Sequence, residues 1–318
     1  MSDPPPTLLV AKGARLAAET RVILDGLDLE TRGSLLVLCG DAGPLVAALS
    51  GLPENAGEAA DRARQGELVP LSEPPRVVGG ALSVAGADVA SGAHHALLGV
   101  SLFDPPYDHD RTVGDHLEAA IRVALARRGR VRASDITRET TDALGRAGIA
   151  GGPKRRLGTL AVRERRAGEV AAAAVCAPAV LLLDRPLHGL EGSAAAFVIA
   201  AIERAREGRG AIVRTSTLSP GTAEGDLARR ASDCAVFTGA ELVFFGTLAE
   251  HARGARVVQV TARANAAELA RGLAAAGFSV SGGAHPLTIG LGEGRRPSEI
   301  LKVAAAVRAS VVEIIPLM

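Results

Sequence analysis

The stretch Pro178-Ala179-Val180-Leu181-Leu182-Leu183-Asp184-Arg185-Pro186-Leu187-His188-Gly189-Leu190-Glu191 decides how the chain is read. Val180–Leu183 are aliphatic without polar alternation, the pattern of a strand buried on both faces, and such strands belong to parallel sheets covered by helices. Asp184 ends that strand, and Pro186 and Gly189 break the chain before a helix expected over 193–207. Upstream, Ser34–Cys39 (SLLVLC) is a second strand of the same kind. It is followed by Gly40-Asp41-Ala42-Gly43, by Pro44 at a good first helical position, and by LVAALSGL. Strand, glycine turn and helix is the repeating unit of an α/β fold with a mostly parallel sheet.

Working outward, residues 7–10 and 21–24 read as short aliphatic runs joined by a polar turn. The stretch 53–78 carries prolines and charges without sustained periodicity and reads as an inserted surface loop. Helices are expected over 112–128, 134–147, 163–176 and 224–231, a strand over 211–216, and a hairpin with a Gly-Ala turn over 233–245. After about 252 the rhythm changes to strand Arg256–Thr261, helix 264–276, strands Phe278–Val280 and Leu287–Leu291, helix 297–309 and strand Val311–Ile315. That βαββαβ order is a ferredoxin-like α+β module. The division expected is therefore 1–251 and 252–318.

A chain of 318 residues, 47% hydrophobic and 22% charged, has enough material for one large domain or two ordinary ones. Its 36 basic and 35 acidic residues nearly cancel, so no global field favours a polyanion and a nucleic-acid partner is not expected. Aromatics are 2% of the chain, with no Trp, which removes the usual stacking platforms for bases. Cys39, Cys176 and Cys234 stand far apart and form neither a disulfide framework nor a CxxC site, which suits a reducing compartment. MSDPPPTLLV lacks the basic n-region of a secretory signal. No 18-residue run is lipid-like, so a cytoplasmic location is expected, with any membrane association through a partner.

The opening segment resembles the Walker B strand and following D-loop of ATP-binding cassette (ABC) ATPases, where aliphatic residues lead to Asp-Glu-Pro and then Gly-Leu-Asp. Leu160-Ala161-Val162-Arg163-Glu164-Arg165 stands where the ABC signature Leu-Ser-Gly-Gly-Gln-Arg belongs, and Gly40–Gly43 where the phosphate loop opens. Ala81–Asp88 is similar to the family's return strand, and Gly99–Leu117 to its Q-loop and the start of its helical subdomain. Thr217-Leu218 falls where the family has Thr-His, and 233–246 resembles the closing hairpin. The resemblance covers roughly 7–250 and implies a P-loop NTPase-like ABC nucleotide-binding domain with a helical subdomain. The tail is similar to the small regulatory or dimerisation domain of some ABC exporter ATPases.

Within that frame the residues that do chemistry are replaced. Nucleotide binding of this kind needs backbone N–H groups around the phosphates, a Lys on the β/γ-phosphates and a Ser/Thr on Mg²⁺. After Gly40–Gly43 come Pro44, Leu45, Val46 and Ala47, and the lysines of the chain are Lys12, Lys154 and Lys302, none near the loop. Where the family carries the Glu that polarises the attacking water stands Arg185, which stays protonated up to pH ~12 and cannot act as a base. An ion pair with Asp184 or Glu191 explains Arg185 simply; a stand-in for the lost Lys is the alternative. The signature Ser and glycines are Ala161, Val162 and Arg163, the switch His is Leu218, and Phe103 stands about where the Q-loop Gln belongs. Loss of the Lys or Glu alone removes charge stabilisation of ~3–5 kcal/mol.

Other candidates have plainer explanations. Asp108-His109-Asp110 and His94-His95 lack a four-ligand constellation and suit exposed polar loops, so no metal site is expected. Lys154-Arg155-Arg156 with Arg163, Arg165 and Arg166 is a solvated basic face, or one that touches a phosphate or an acidic subunit surface. Phe103, Asp104, Tyr107 and Asp108, beside Pro105 and Pro106, place scarce aromatics on a stiffened loop and are candidate contacts for a membrane partner.

The sequence thus points to a degenerate ABC subunit with no catalytic residues and no cofactor beyond weak ATP/Mg. The resemblance implies as partners an integral-membrane ABC permease and an intact ABC ATPase paralogue or a second copy of the chain, at the inner face of the membrane. An ABC ATPase working through a non-standard site, and a soluble scaffold using the same fold, are the competing expectations.

Overall fold

The computed structural model describes residues 7–53, 62, 71–103, 105, 108–126, 132–254, 257–281, 286–291 and 295–317. The chain separates into two compact units, one running to Leu218 and resuming over Thr222–Gly246, the other comprising Ser219–Gly221 and the chain from Thr247 onward.

In the first unit, β1 (Leu9–Ala18) and β2 (Arg21–Glu30) form an antiparallel hairpin. These strands are longer than the short runs expected at 7–10 and 21–24. Polar residues of the supposed turn occupy the open face of the sheet, where Arg15 pairs with Asp25 at 2.7 Å, while Ala14, Leu16, Leu24 and Leu27 are buried beneath. Register shifts around Gly13, at φ +54°, interrupt the period-two pattern that would have revealed this.

The chain continues through β3 (Leu35–Gly40), α1 (Gly43–Ser50), β4 (Arg76–Val84), β5 (Ala87–Asp88) and β6 (Leu98–Ser101). Most of the stretch 53–78 lies outside the described residues. Three helices follow: α2 (Val113–Ala126), α3 (Ala133–Ala147) and α4 (Val162–Ala173). Then come β7 (Val180–Asp184), α5 (Gly192–Arg206), β8 (Gly210–Arg214), α6 (Ala223–Arg230), β9 (Asp233–Thr238) and β10 (Glu241–Gly246).

Two sheets result. One has the order β2-β1-β4-β5 and is antiparallel; the other has the order β10-β9-β3-β8-β7-β6, parallel except for the closing β9–β10 hairpin. The uninterrupted aliphatics of β3 and β7 are buried as their composition requires, Leu35–Cys39 and Val180–Leu183 being essentially inaccessible. A core cluster joins Leu16, Leu24, Leu45, Leu49, Leu182 and Phe237 across the two sheets and α1. A separate cluster, including Leu117, Ile121, Ile136, Ala143 and Ala171, closes α2, α3 and α4 into a helical layer. Fully buried Asp233 is balanced by Arg32, whose Nε lies 2.8 Å from one carboxylate oxygen while its backbone N–H donates to the other at 2.7 Å.

The second unit holds α7 (Leu248–Gly254), β11 (Val257–Ala264), α8 (Ala266–Ala275), β12 (Ser279–Ser281), β13 (Leu287–Gly290), α9 (Pro297–Ala306) and β14 (Ser310–Leu317). Beyond Ser219–Gly221 it takes up the chain from Thr247, a few residues before the change of rhythm near Ala252–Ala255. Its sheet has the order β12-β13-β11-β14 with every neighbour antiparallel. Val258, Leu269, Leu273, Phe278, Ile289 and Ile300 fill its own core, and Val303 and Ile314 pack against it half-buried. Because this core is self-contained, residues 247–318 expressed alone are expected to give a dispersed amide NMR spectrum, and Leu269→Ala to lower its urea stability by about 3 kcal/mol. A collapsed spectrum would show that the sheet depends on the rest of the chain.

Candidate functional site

At the position of the phosphate loop, β3 ends at Gly40 and α1 starts at Gly43, so only Asp41 and Ala42 lie between strand and helix. The turn is tied to the neighbouring strand. Gly40 has φ +75°, and a Cβ there would collide with the Phe237 carbonyl. The Asp41 N–H donates to that same carbonyl at 3.1 Å, and the Asp41 carboxylate accepts from the Gly239 N–H at 2.8 Å. Ala42 at the N-cap offers no side-chain acceptor, Pro44 has no N–H, and Leu45, Val46 and Ala47 are buried in the core. A phosphate cradle needs a run of convergent backbone N–H groups, and this two-residue turn commits the Asp41 N–H to β9.

The carboxyl ends of β7 and β8 carry a charge cluster. In the parallel register Asp184 lies directly opposite Arg214. Arg214 Nη1 and Arg185 Nε each stand 3.5 Å from the same Asp184 oxygen, Oδ1, with Asp184 and Arg214 side chains 13% exposed and Arg185 30%. Arg185 sits at φ 47°, and its N–H donates to the Arg214 carbonyl at 3.0 Å. The Arg185 guanidinium lies 3.9 Å from the centre of the Phe103 ring, Arg166 lies 4.7 Å from it, and His188 meets the ring edge-on at 5.1 Å. His188 Nδ1 is 2.9 Å from Ser216 Oγ. The Ser216 and Thr217 N–H groups donate to Glu224 at 2.9 and 3.0 Å. Burial raises the Glu224 carboxyl above the usual range, partly opposed by these two donors.

At the signature position, Leu160 is buried and Ala161 is the N-cap of α4. The Glu164 carboxylate accepts from the Ala161 N–H at 2.9 Å, but alanine has no oxygen with which to complete a capping box. Arg155 reaches the same carboxylate at 2.6 Å and holds its pKa below the ordinary range. Val162 is exposed, and the Arg163 guanidinium lies 5.9 Å from the Phe197 ring. Leu218, at the switch position, is buried.

The structure therefore brings Phe103 to Asp184 and Arg185, where its ring packs among arginines. Asp108 lies in an exposed turn whose carboxylate accepts from the Asp110 N–H at 3.1 Å. Asp104 and Tyr107 lie outside the described residues. His94 is buried, its Nε2 2.9 Å from the Leu49 carbonyl and its ring 4.0 Å from that of His95. Among the described residues there is no group of three or more His, Cys, Asp or Glu able to hold a metal ion, and no helix long and apolar enough to cross a membrane. Arg214, Arg166, His188 and Glu224 were not legible as one cluster. The available signal is that Arg214 follows the last apolar residue of its strand just as Asp184 follows that of β7.

Glu224 gives this site a pH dependence. With its pKa raised on folding, its ionised form opposes the folded state, so stability recovers as pH falls from neutrality toward the ordinary glutamate range and is lost on the way back up. Glu224→Gln keeps an acceptor for the backbone donors and removes that titration. The variant is expected to melt no lower than the parent at pH 7 and to show a smaller gain on acidification. An unchanged difference between the melting temperatures of parent and variant across that range would contradict the assignment.

No protein-family model and no curated protein matches the chain. Among solved structures, it is similar to an ATP-binding subunit of an ABC transporter, with 17% identity and a TM-score of 0.52, over 77% of this chain and 91% of that one. It is also similar to a bacterial Atm1-family ABC exporter solved with ATP bound, with 14% identity and a TM-score of 0.51, over 79% of this chain. There the matched region is 40% of the exporter's length. Over the matched region the fold is that of ABC nucleotide-binding domains.

Proposed function

We propose that the protein is a catalytically degenerate ABC-type subunit that acts as a structural or regulatory partner in an ABC membrane complex. The observation that carries this reading is the state of Asp184, whose carboxylate faces two guanidinium groups where the fold family would have it face a metal ion. The residues present do not fit a metal–nucleotide complex. No Lys or hydroxyl follows the shortened turn at Gly40–Gly43, and the position after Asp184 carries a permanent cation instead of a base.

In such a complex the subunit sits at the inner face of the membrane through an integral-membrane permease, dimerised with an intact ATPase paralogue or with itself. The module from Thr247 is a ferredoxin-like regulatory or dimerisation element, a role supported by its βαββαβ order and its own core. The segment 99–118 borders a groove of about 630 Å³ whose lining includes Leu52, Val100, Arg111, His116, Ala120 and Val123. That groove is a docking face for the permease, in addition to the loop of Phe103, Asp104, Tyr107 and Asp108.

Calorimetric titration with Mg-ATP is expected to give binding no tighter than the millimolar range and no detectable hydrolysis. Arg185→Glu alone is expected to leave turnover absent, because the missing phosphate contacts lie at the other loop. Micromolar binding abolished by Asp184→Ala would instead favour an active ATPase with a non-standard site. Val123→Glu, at an exposed position of the groove, is expected to release a co-purifying membrane protein without lowering the melting temperature. A folded chain that co-purifies with no membrane protein would favour the soluble scaffold.

A further inference from the structure

Where the fold family would set a diffusible cation against Asp184, this chain supplies its own. We propose that Arg214 and Arg185 act as a tethered cation that holds the carboxyl ends of β7 and β8, and the segments 185–191 and 215–218 that follow them, in one arrangement with or without nucleotide. This deepens the reading of a degenerate site and rests on it in one respect, that no metal–nucleotide complex competes for Asp184.

Three features link the two segments. The first is electrostatic. Asp184 and Arg214 are the last residues of neighbouring parallel strands, in register and 13% exposed each, so their attraction is little screened by solvent. Neither charge can be left behind alone at this burial without a large desolvation cost. Two guanidinium groups on one carboxylate oxygen also leave surplus positive charge, which repels a divalent cation.

The second feature is in the backbone. Arg185 occupies the left-handed region at φ 47°, which a side-chain-bearing residue keeps only where its surroundings over-determine it. Here its N–H crosses to the Arg214 carbonyl at 3.0 Å, and its guanidinium is held between Asp184 and the face of Phe103. The third feature lies one turn further along. His188 and Ser216 meet at 2.9 Å, and the Ser216 and Thr217 N–H groups are fixed by Glu224 at the start of α6. The two segments are thus joined by an ion pair, a backbone hydrogen bond and a side-chain hydrogen bond. In a nucleotide-driven ATPase such segments have to rearrange when ligand arrives; here the contacts that would report ligand are already made.

Hydrogen exchange on the full chain tests this. In the unmodified protein, amides of 185–191 and 215–218 are expected to exchange at rates that differ less than twofold between buffer and 1 mM Mg-ATP. A tenfold or greater gain of protection with Mg-ATP would overturn the proposal. Asp184→Asn and Arg214→Gln are each expected to speed exchange of both segments at least tenfold, and the double variant to exchange no faster than Asp184→Asn alone. Single variants that exchange like the parent, or effects that multiply in the double variant, would also overturn it. Should Asp184→Asn fail to fold, Arg214→Gln decides on the same readout: exchange of both segments at the parent rate overturns the proposal, and at least tenfold faster exchange supports it. Tight Mg-ATP binding without any change in exchange would sink the degenerate-site reading while sparing the tethered cation.

Discussion

Asp184 and Arg214 face each other because two parallel strands end at the same level, and that coincidence governs what the edge of the sheet can hold. An ionised carboxylate at this burial needs a compensating charge, and β8 provides one from the position directly opposite. Much of the surrounding geometry follows. Arg185 adds a second guanidinium to the same oxygen and is turned there by its left-handed backbone, Phe103 covers its flat face, and His188 follows at the ring edge. The same sheet edge that offers ligands a crevice in other α/β folds is occupied in this chain by its own side chains.

The scaffold beneath does not require that cluster for its core. Aliphatic side chains from both sheets and α1 form one buried assembly, and the helical layer forms another. At ~25 cal/mol per Å² of apolar surface removed from water, such cores outweigh any single ion pair at their rim. This is why the fold persists at 17% and 14% identity to the solved ABC structures. The buried aliphatics carry the fold, and the residues at the rim are under a separate set of constraints.

Much of this was legible in the sequence. Uninterrupted aliphatic runs gave β3 and β7, the Gly239-Ala240 turn gave the β9–β10 hairpin, and the order of elements after Thr247 was readable from period changes alone. The failures have physical causes. Bulges in β1 and β2 shift the period-two pattern, so twenty residues of paired sheet resembled two short runs and a turn. The ion pair between Asp184 and Arg185 was readable because they are adjacent in the chain. The share taken by Arg214 was not, since nothing local states that residues thirty apart end neighbouring strands. Glu224 and Phe103 were missed as members of the cluster for the same reason.

The turn at Asp41-Ala42 has an evolutionary consequence. Asp41 is bonded through its N–H to the Phe237 carbonyl and through its carboxylate to the Gly239 N–H, with no room for a Cβ at Gly40. Point substitutions change side chains but not the length of a connection, so none of them can build a wide anion-binding loop here. Only inserted codons would do so, and the first insertion would break the bonds that now seat β3 against β9 before any new contact could compensate. A chain with this connection can drift in its side chains indefinitely without acquiring such a loop.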